Sequence, residues 1–306
     1  LHEGASYVGG GTNILDLMKI DVEHPRELID INHLPLDRID EDARGGLRIG
    51  ALARMSDVAA NAVVRSRFPA IAQALEASAS PQLRNMATMG GNLLQRTRCP
   101  YFRDVATPCN KRVPGSGCGA LQGQNRMQAV LGTSEQCIAA HPSDVAVALT
   151  AFDTIVHVSH GAGARDIPLT AFYREPGATP NVENVLHRGE LITGMTVPAS
   201  TFAARSVYLK VRDRAEYEFA LASAAVALDV SGGRLRAARV ALGGVGTIPW
   251  RSLEAERTLE GAEPGRDAFA HAADVALAGA RGHGLNDYKI PLAKRTLIRA
   301  LEMSLA

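Results

Sequence analysis

The sequence predicts an α+β protein in two parts, a mixed strand-and-helix domain followed by an antiparallel sheet packed with helices. Three observations carry that prediction. Short strands and helices alternate over about the first hundred residues. After Thr154 the patterning turns β-rich, with a hairpin signal at Ser231-Gly232-Gly233. Helical periodicity then closes the chain.

Taken in order, Ala5 to Val8 reads as a strand entering Gly9-Gly10-Gly11-Thr12-Asn13, and Ile14 to Met18 as a helix. The chain opens at Leu1 without an initiator Met, so the sequence leads us to expect a missing piece before it. Leu28 to Ile31 and Leu47 to Ile49 read as short strands. Ser56 is placed to cap a helix carrying Val58, Ala59, Ala62 and Val63. Pro69 suits the first turn of the next helix. A second glycine loop stands at Gly90-Gly91-Asn92.

From Gln95 to Gln136 neither helical nor alternating periodicity is sustained, and Pro100, Pro108 and Pro114 lie among five glycines. Irregular stretches of this length are uncommon in compact domains unless something organises them. Order returns where Pro142-Ser143-Asp144 caps a helix running through Leu149. Ile155 to Val158, Ile192 to Val197, Leu221 to Val230 and Leu235 to Leu242 read as strands. Ser252 to Leu259, Asp267 to Ala280 and Pro291 to Leu305 read as helices. We expect a first domain over 1–200, containing a cysteine-rich insertion at 95–140, and a second over 201–306.

Among 306 residues, 33 Lys and Arg face 32 Asp and Glu, a formal net charge of +1. That balance excludes a protein held to nucleic acid or a membrane surface mainly by bulk charge. No apolar run approaches the ~18 residues of a membrane helix. The compartment stays open.

All four cysteines fall between Cys99 and Cys137, spaced C-x9-C-x8-C-x18-C. A disulfide framework is one reading, but a domain this long does not need stapling. Structural zinc favours paired short spacings, which are absent. A four-thiolate iron–sulfur cluster tolerates long spacings and favours Gly- and Pro-rich backbone that aims N–H groups at sulfur. Spacing ranks the cluster first, zinc second and disulfides third.

Successive glycines in Gly9-Gly10-Gly11 let backbone N–H groups converge on an anion, as can the loop around Thr88 and Gly90-Gly91-Asn92. A plain tight turn is the competing reading of each. Neither matches G-x-G-x-x-G, so a Rossmann site is not indicated.

Val8 to Leu15, Ala87 to Leu93, His141-Pro142-Ser143-Asp144-Val145-Ala146, and Lys210 to Arg214 followed by Phe219-Ala220-Leu221 together resemble the FAD-binding subunit of the molybdenum hydroxylases. The resemblance spans essentially the whole chain. It implies a two-part FAD-binding domain of the CO dehydrogenase flavoprotein type and the C-terminal domain that follows it. The cysteine insertion is most similar to that of the flavin subunit of bacterial three-subunit aldehyde oxidoreductases, which carries a [4Fe-4S] cluster. By this resemblance Ser6, Tyr7, Val8, Gly9, Gly10, Gly11, Thr12, Asn13 and Ile14 wrap the FAD diphosphate and ribose. Thr88, Gly91 and Asn92 close the other side, and Asp144 accepts a hydrogen bond from the cofactor. Ile192 packs near the flavin, and Lys210 stabilises charge on the reduced ring. Cys99, Cys109, Cys118 and Cys137 become the cluster ligands. Bland alternatives are a helix cap for Asp144, a core strand residue for Ile192 and a surface lysine for Lys210.

The resemblance implies an electron-transfer subunit without catalytic residues of its own. Its partners are a large molybdenum-cofactor subunit, a small [2Fe-2S] subunit and an external electron acceptor. A 4-hydroxybenzoyl-CoA reductase-like complex, a stand-alone FAD oxidoreductase and a zinc-stabilised binding module remain alternatives. Tyr101 and Phe102 read as aromatic filler under the loop, and His141 as a loop residue. Arg84, Arg96, Arg98 and Arg103 read as a solvated basic face or a subunit contact.

Overall fold

The computed structural model describes residues 3–161 and 163–305; Leu1 lies outside them. The first part begins with two parallel strands, Ala5–Val8 and Glu27–Asp30, with Ser6 opposite Leu28. The helix Ile14–Lys19 makes the crossover between them. A five-stranded antiparallel sheet follows, in the order Ile39–Glu41, Leu47–Gly50, Leu191–Val197, Ile155–His160 and Gly163–Pro168. Its apolar face, with Ile49, Val156, Val158 and Met195, joins one core with the helices Pro69–Ala77 and Asp144–Ala151. Every residue of Asp144–Ala151 is buried. An apolar helix rich in Ala and Val suits that place, because no polar face is left needing solvent.

The C-terminal part is a four-stranded antiparallel sheet in the order Trp250–Arg251, Arg234–Gly243, Ala222–Ser231 and Val207–Val211. Its central strand reads with period two on both faces. Ala222, Ala224, Val226 and Leu228 meet the helices Leu253–Leu259, Arg266–Ala276 and Lys289–Met303. Ala225 and Ala227 turn to the first core. Small side chains on that face let the helix Asp144–Ala151 lie close, and a Cβ at Gly243 would fall 2.5 Å from Val147 Cγ2. Gly232 and Gly233, at φ 61° and 74°, form the two-residue hairpin that the sequence indicated, with Ser231 opposite Arg234.

Two local expectations are corrected. The helix read from Ser56 through Val63 is two helices, Met55–Ala60 and Ala62–Arg67. Ser56 caps neither. The first starts where the Met55 N–H donates to the Ala87 carbonyl at 2.9 Å, and the second is capped by Asn61, which accepts from Val63 and Val64. The cysteine-rich stretch is irregular as expected, apart from the short helix Pro100–Arg103. Arg112 organises it, donating to the carbonyls of Tyr101, Phe102, Val105 and Thr107. The wholly buried Lys289 ties it to the C-terminal part through the carbonyls of Met127, Gln128 and Gly244.

Candidate functional site

The two glycine loops touch. A Cβ at Gly10 would lie 1.9 Å from the Met86 carbonyl oxygen, and one at Gly9 would meet Thr88 Oγ1 at 3.4 Å. Gly11 has φ 73°, a left-handed conformation open to glycine. Their amides differ. Among the described residues, no hydrogen bond within the chain occupies the N–H groups of Gly10, Gly11, Thr12 and Asn13. In the second loop Met89 donates to Ala53, Gly90 to Ala51, Asn92 to Thr88, and Gly91 to the Thr88 hydroxyl. Thr88 is the N-cap of the helix Met89–Leu93. The first loop therefore offers donors to an anion, and the second supports it from behind. Sequence reading treated both as donors.

Between these loops and the C-terminal sheet lies a cavity of about 420 Å³. Thr12, Asn13, Gly91, Asn92, Asp144 and Lys210 line it. Asp144 is the first residue of its helix, and Ser143 is the cap, accepting from the Ala146 N–H at 3.0 Å. Ser78 Oγ and Lys210 Nζ donate to Asp144 Oδ2 at 3.1 and 2.8 Å, and Tyr208 donates to Oδ1 at 2.6 Å. Burial and the adjacent carboxylate push the Tyr208 phenol well above its ordinary pKa, so it stays a donor. Lys210 also donates to the Ala77 carbonyl at 3.0 Å, leaving one of its three N–H bonds uncommitted. Its side chain is 4% exposed, so it is no surface lysine.

Not every expected residue reaches the cavity. Ile192 is 3% exposed and packs in the core beside Met195, outside the cavity lining. Ser6, Tyr7 and Val8 form the strand that delivers the first loop, and Tyr7 donates to the Gly189 carbonyl. Ile14 opens the helix behind it. Asn92 is committed on both ends, donating to Met55 Sδ and accepting from Ser143 Oγ.

The four cysteines are free and line one small enclosed cavity with Lys111. Cys109 and Cys118 face each other across an antiparallel bridge, and Cys99 precedes the Pro100–Arg103 helix. Burial pushes the Cys99 thiol up to about 12, against backbone N–H groups of Phe102 and Tyr101 that favour its thiolate. Burial likewise lifts Cys137 to about 11, against the Lys111 charge. The Ala139 N–H approaches Cys137 Sγ at 3.5 Å. Among the described residues, no three His, Cys, Asp or Glu side chains are grouped for a single metal ion.

Tyr101 and Phe102 are packing residues: Tyr101 lies against Gly119 and Gly123, and Phe102 is buried beneath the Arg96 guanidinium. Three arginines read as a solvated face are paired instead. Arg96 bridges Glu23 and Glu183, while Arg98 and Arg103 share Asp16. His141, read as a loop residue, has a buried Nε2 with no partner, and burial pulls its pKa down to about 3. No local signal marks these pairings, because Asp16 lies more than eighty positions from both arginines.

Among the described residues no helix is long and apolar enough to cross a membrane. Residues 2–200 match the family described as the FAD binding domain in molybdopterin dehydrogenase. Residues 207–304 match the CO dehydrogenase flavoprotein C-terminal domain. The chain is 49% identical over 300 residues to the aldehyde oxidoreductase FAD-binding subunit PaoB of Escherichia coli, covering 97% of this chain and 91% of that one. It is 28% identical over 254 residues to the glyceraldehyde dehydrogenase medium chain of Sulfolobus acidocaldarius, covering 83% and 73%. Its fold superposes on the carbon monoxide dehydrogenase of Hydrogenophaga pseudoflava with a TM-score of 0.75 at 25% identity, covering 100% of this chain and 91% of that chain.

Proposed function

The chain belongs to the FAD-binding medium subunits of the molybdenum hydroxylase family, and from that premise we propose that it is the FAD subunit of an aldehyde oxidoreductase complex. The single observation that carries this reading is the row of unpaired N–H groups from Gly10 to Asn13, whose last two residues, Thr12 and Asn13, line the 420 Å³ cavity. Bound FAD supplies a carrier that takes electrons from the complex and delivers them to an external acceptor.

The rest is done by this chain's side chains and backbone. Thr12, Asn13 and the preceding glycines hold the diphosphate through backbone donors. The second loop, with Thr88, Gly91 and Asn92, fixes the position of the first. Lys210 offers its remaining N–H to the flavin, and Asp144 and Tyr208 hold that ammonium in place. The partners are a large molybdenum-cofactor subunit and a small [2Fe-2S] subunit, in keeping with relatives named as medium chains.

Cys99, Cys109, Cys118 and Cys137 are assigned to a [4Fe-4S] cluster. Four free thiols around one cavity, on a Gly- and Pro-rich backbone without paired short spacings, support this reading over zinc. Buried thiols must lose protons to bind it, so loading becomes weaker as pH falls. The test is FAD, iron and zinc analysis of the purified chain with its co-purifying subunits. Stoichiometric flavin with four iron atoms beyond those of the small subunit is expected; zinc without flavin and without that additional iron overturns the reading.

A further inference from the structure

Seven charged side chains line the flavin cavity: Arg98, Arg103, Lys210 and Arg214 against Asp16, Asp144 and Glu218. Four cations against three carboxylates leave one positive charge. Its location follows from the pairing. Lys210 is neutralised by Asp144 at 2.8 Å, and Arg214 by Glu218 at 3.2 Å. Arg98 and Arg103 share Asp16 alone, at 2.9 and 2.7 Å. Arg103 grips both Asp16 oxygens, and that hydrogen bonding holds the carboxyl below its ordinary pKa, so it is ionised. Nearby Arg84 and Arg212 donate to the carbonyls of Ser78 and Ala77 and do not line the cavity.

Arg98 has two further marks. Its Nε is buried without any hydrogen-bond partner, which for a guanidinium N–H is costly unless something else accepts from it. Its guanidinium lies 5.5 Å from the Phe219 ring centroid, and Phe219 lines the same cavity as Lys210. Arg98 also lines an adjoining cavity of about 160 Å³ that reaches Cys99.

We propose that the Arg98–Asp16–Arg103 cluster, contributed largely by the cysteine-rich insertion, is the element that electrostatically favours the reduced, anionic flavin. Lys210 then serves mainly as an oriented donor. The inference rests on the FAD reading above, and the charge count is that of the cavity's own side chains. It gives the insertion a role at the flavin itself: it carries uncompensated charge into a partly desolvated cavity, where a cation interacts more strongly than in water.

The test compares wild-type chain, Arg98→Gln and Arg98→Lys, each loaded with FAD, by equilibrium titration of flavin potential and by FAD dissociation constant. Arg98→Gln is expected to lower the preference for reduced over oxidised flavin about tenfold, a fall of about 30 mV for a two-electron couple. Arg98→Lys, which keeps the charge and loses the planar fork, is expected to restore most of it. Should Arg98→Gln fail to fold, Arg103→Gln serves as the second variant with the same expected direction. An unchanged potential in flavin-loaded variants overturns the inference, as does weaker FAD binding at unchanged potential, which would place the cations on the diphosphate. Wild-type chain that binds no FAD overturns the flavin reading itself.

Discussion

The two glycine loops are alike in composition and adjacent in space, yet they do different work. The loop from Gly9 to Asn13 leaves its N–H groups unpaired, whereas the loop from Thr88 to Asn92 uses its own on Ala51, Ala53 and Thr88. Glycine serves two purposes accordingly. In the first loop it permits a left-handed turn and exposes donors; in the second, Gly90 and Gly91 allow close packing against Ala51 and Thr88. The lesson is that a glycine run becomes an anion site only where hydrogen-bond accounting leaves its amides free.

The largest effect that bears on this contrast is Gly10→Ala. Its Cβ would strike the Met86 backbone carbonyl, which cannot rotate away as a side chain can. We expect flavin-free protein and a loss of roughly 3 kcal/mol or more of stability. At Gly91→Ala the new methyl meets only the Thr88 hydroxyl, at 2.8 Å. Flavin retention there, seen by absorbance after gel filtration, separates the two loops; equal loss in both merges them.

Next in size is Asp144→Ala, behind the second loop. Lys210 would be left buried and unpaired, and removing one member of such a pair costs about 3–5 kcal/mol. Urea unfolding measures it, and a change under 1 kcal/mol would mean that the pair is solvated.

His141 tests the same wall by pH. Its folded pKa is depressed to about 3 from 6.5, so the neutral ring is favoured in the fold. The stability it contributes is present above pH 6.5 and is lost as pH falls toward 3. The loss is on the order of 3 kcal/mol at pH 4. His141→Gln should flatten the acid limb of the stability profile, and an unaltered limb would assign it to other groups.

The smallest effect is at Thr88→Val. Losing the cap costs about 1 kcal/mol. If the second loop only supports the first, FAD affinity should change less than about threefold, whereas a tenfold loss by fluorescence titration would make Thr88 a direct ligand.

Much of the fold was legible because its signals are local. Pro69 at a helix start, Gly232-Gly233 in the hairpin and the Ser143 cap each depend on neighbouring residues. The first glycine loop and the crowding of four cysteines were legible for the same reason. Ser56 misled because the start of its helix is set by Ala87, far along the chain. Lys210 lines the cavity, but its neutralising partner depends on a helix meeting a strand across 66 positions. Arg98 and Arg103 looked like solvated charge because nothing near them in sequence shows that Asp16 will stand between them. Charge placement is set by tertiary approach, and composition alone is blind to it.

The most direct test of the central claim is the visible spectrum of the purified chain with its co-purifying subunits, read with flavin, iron and zinc content. One FAD and four iron atoms per chain beyond those of the small [2Fe-2S] subunit are expected, with the flavin lost in Gly10→Ala and retained in Thr88→Val. Wild-type protein containing zinc, without flavin and without iron beyond that of the small subunit, would contradict it.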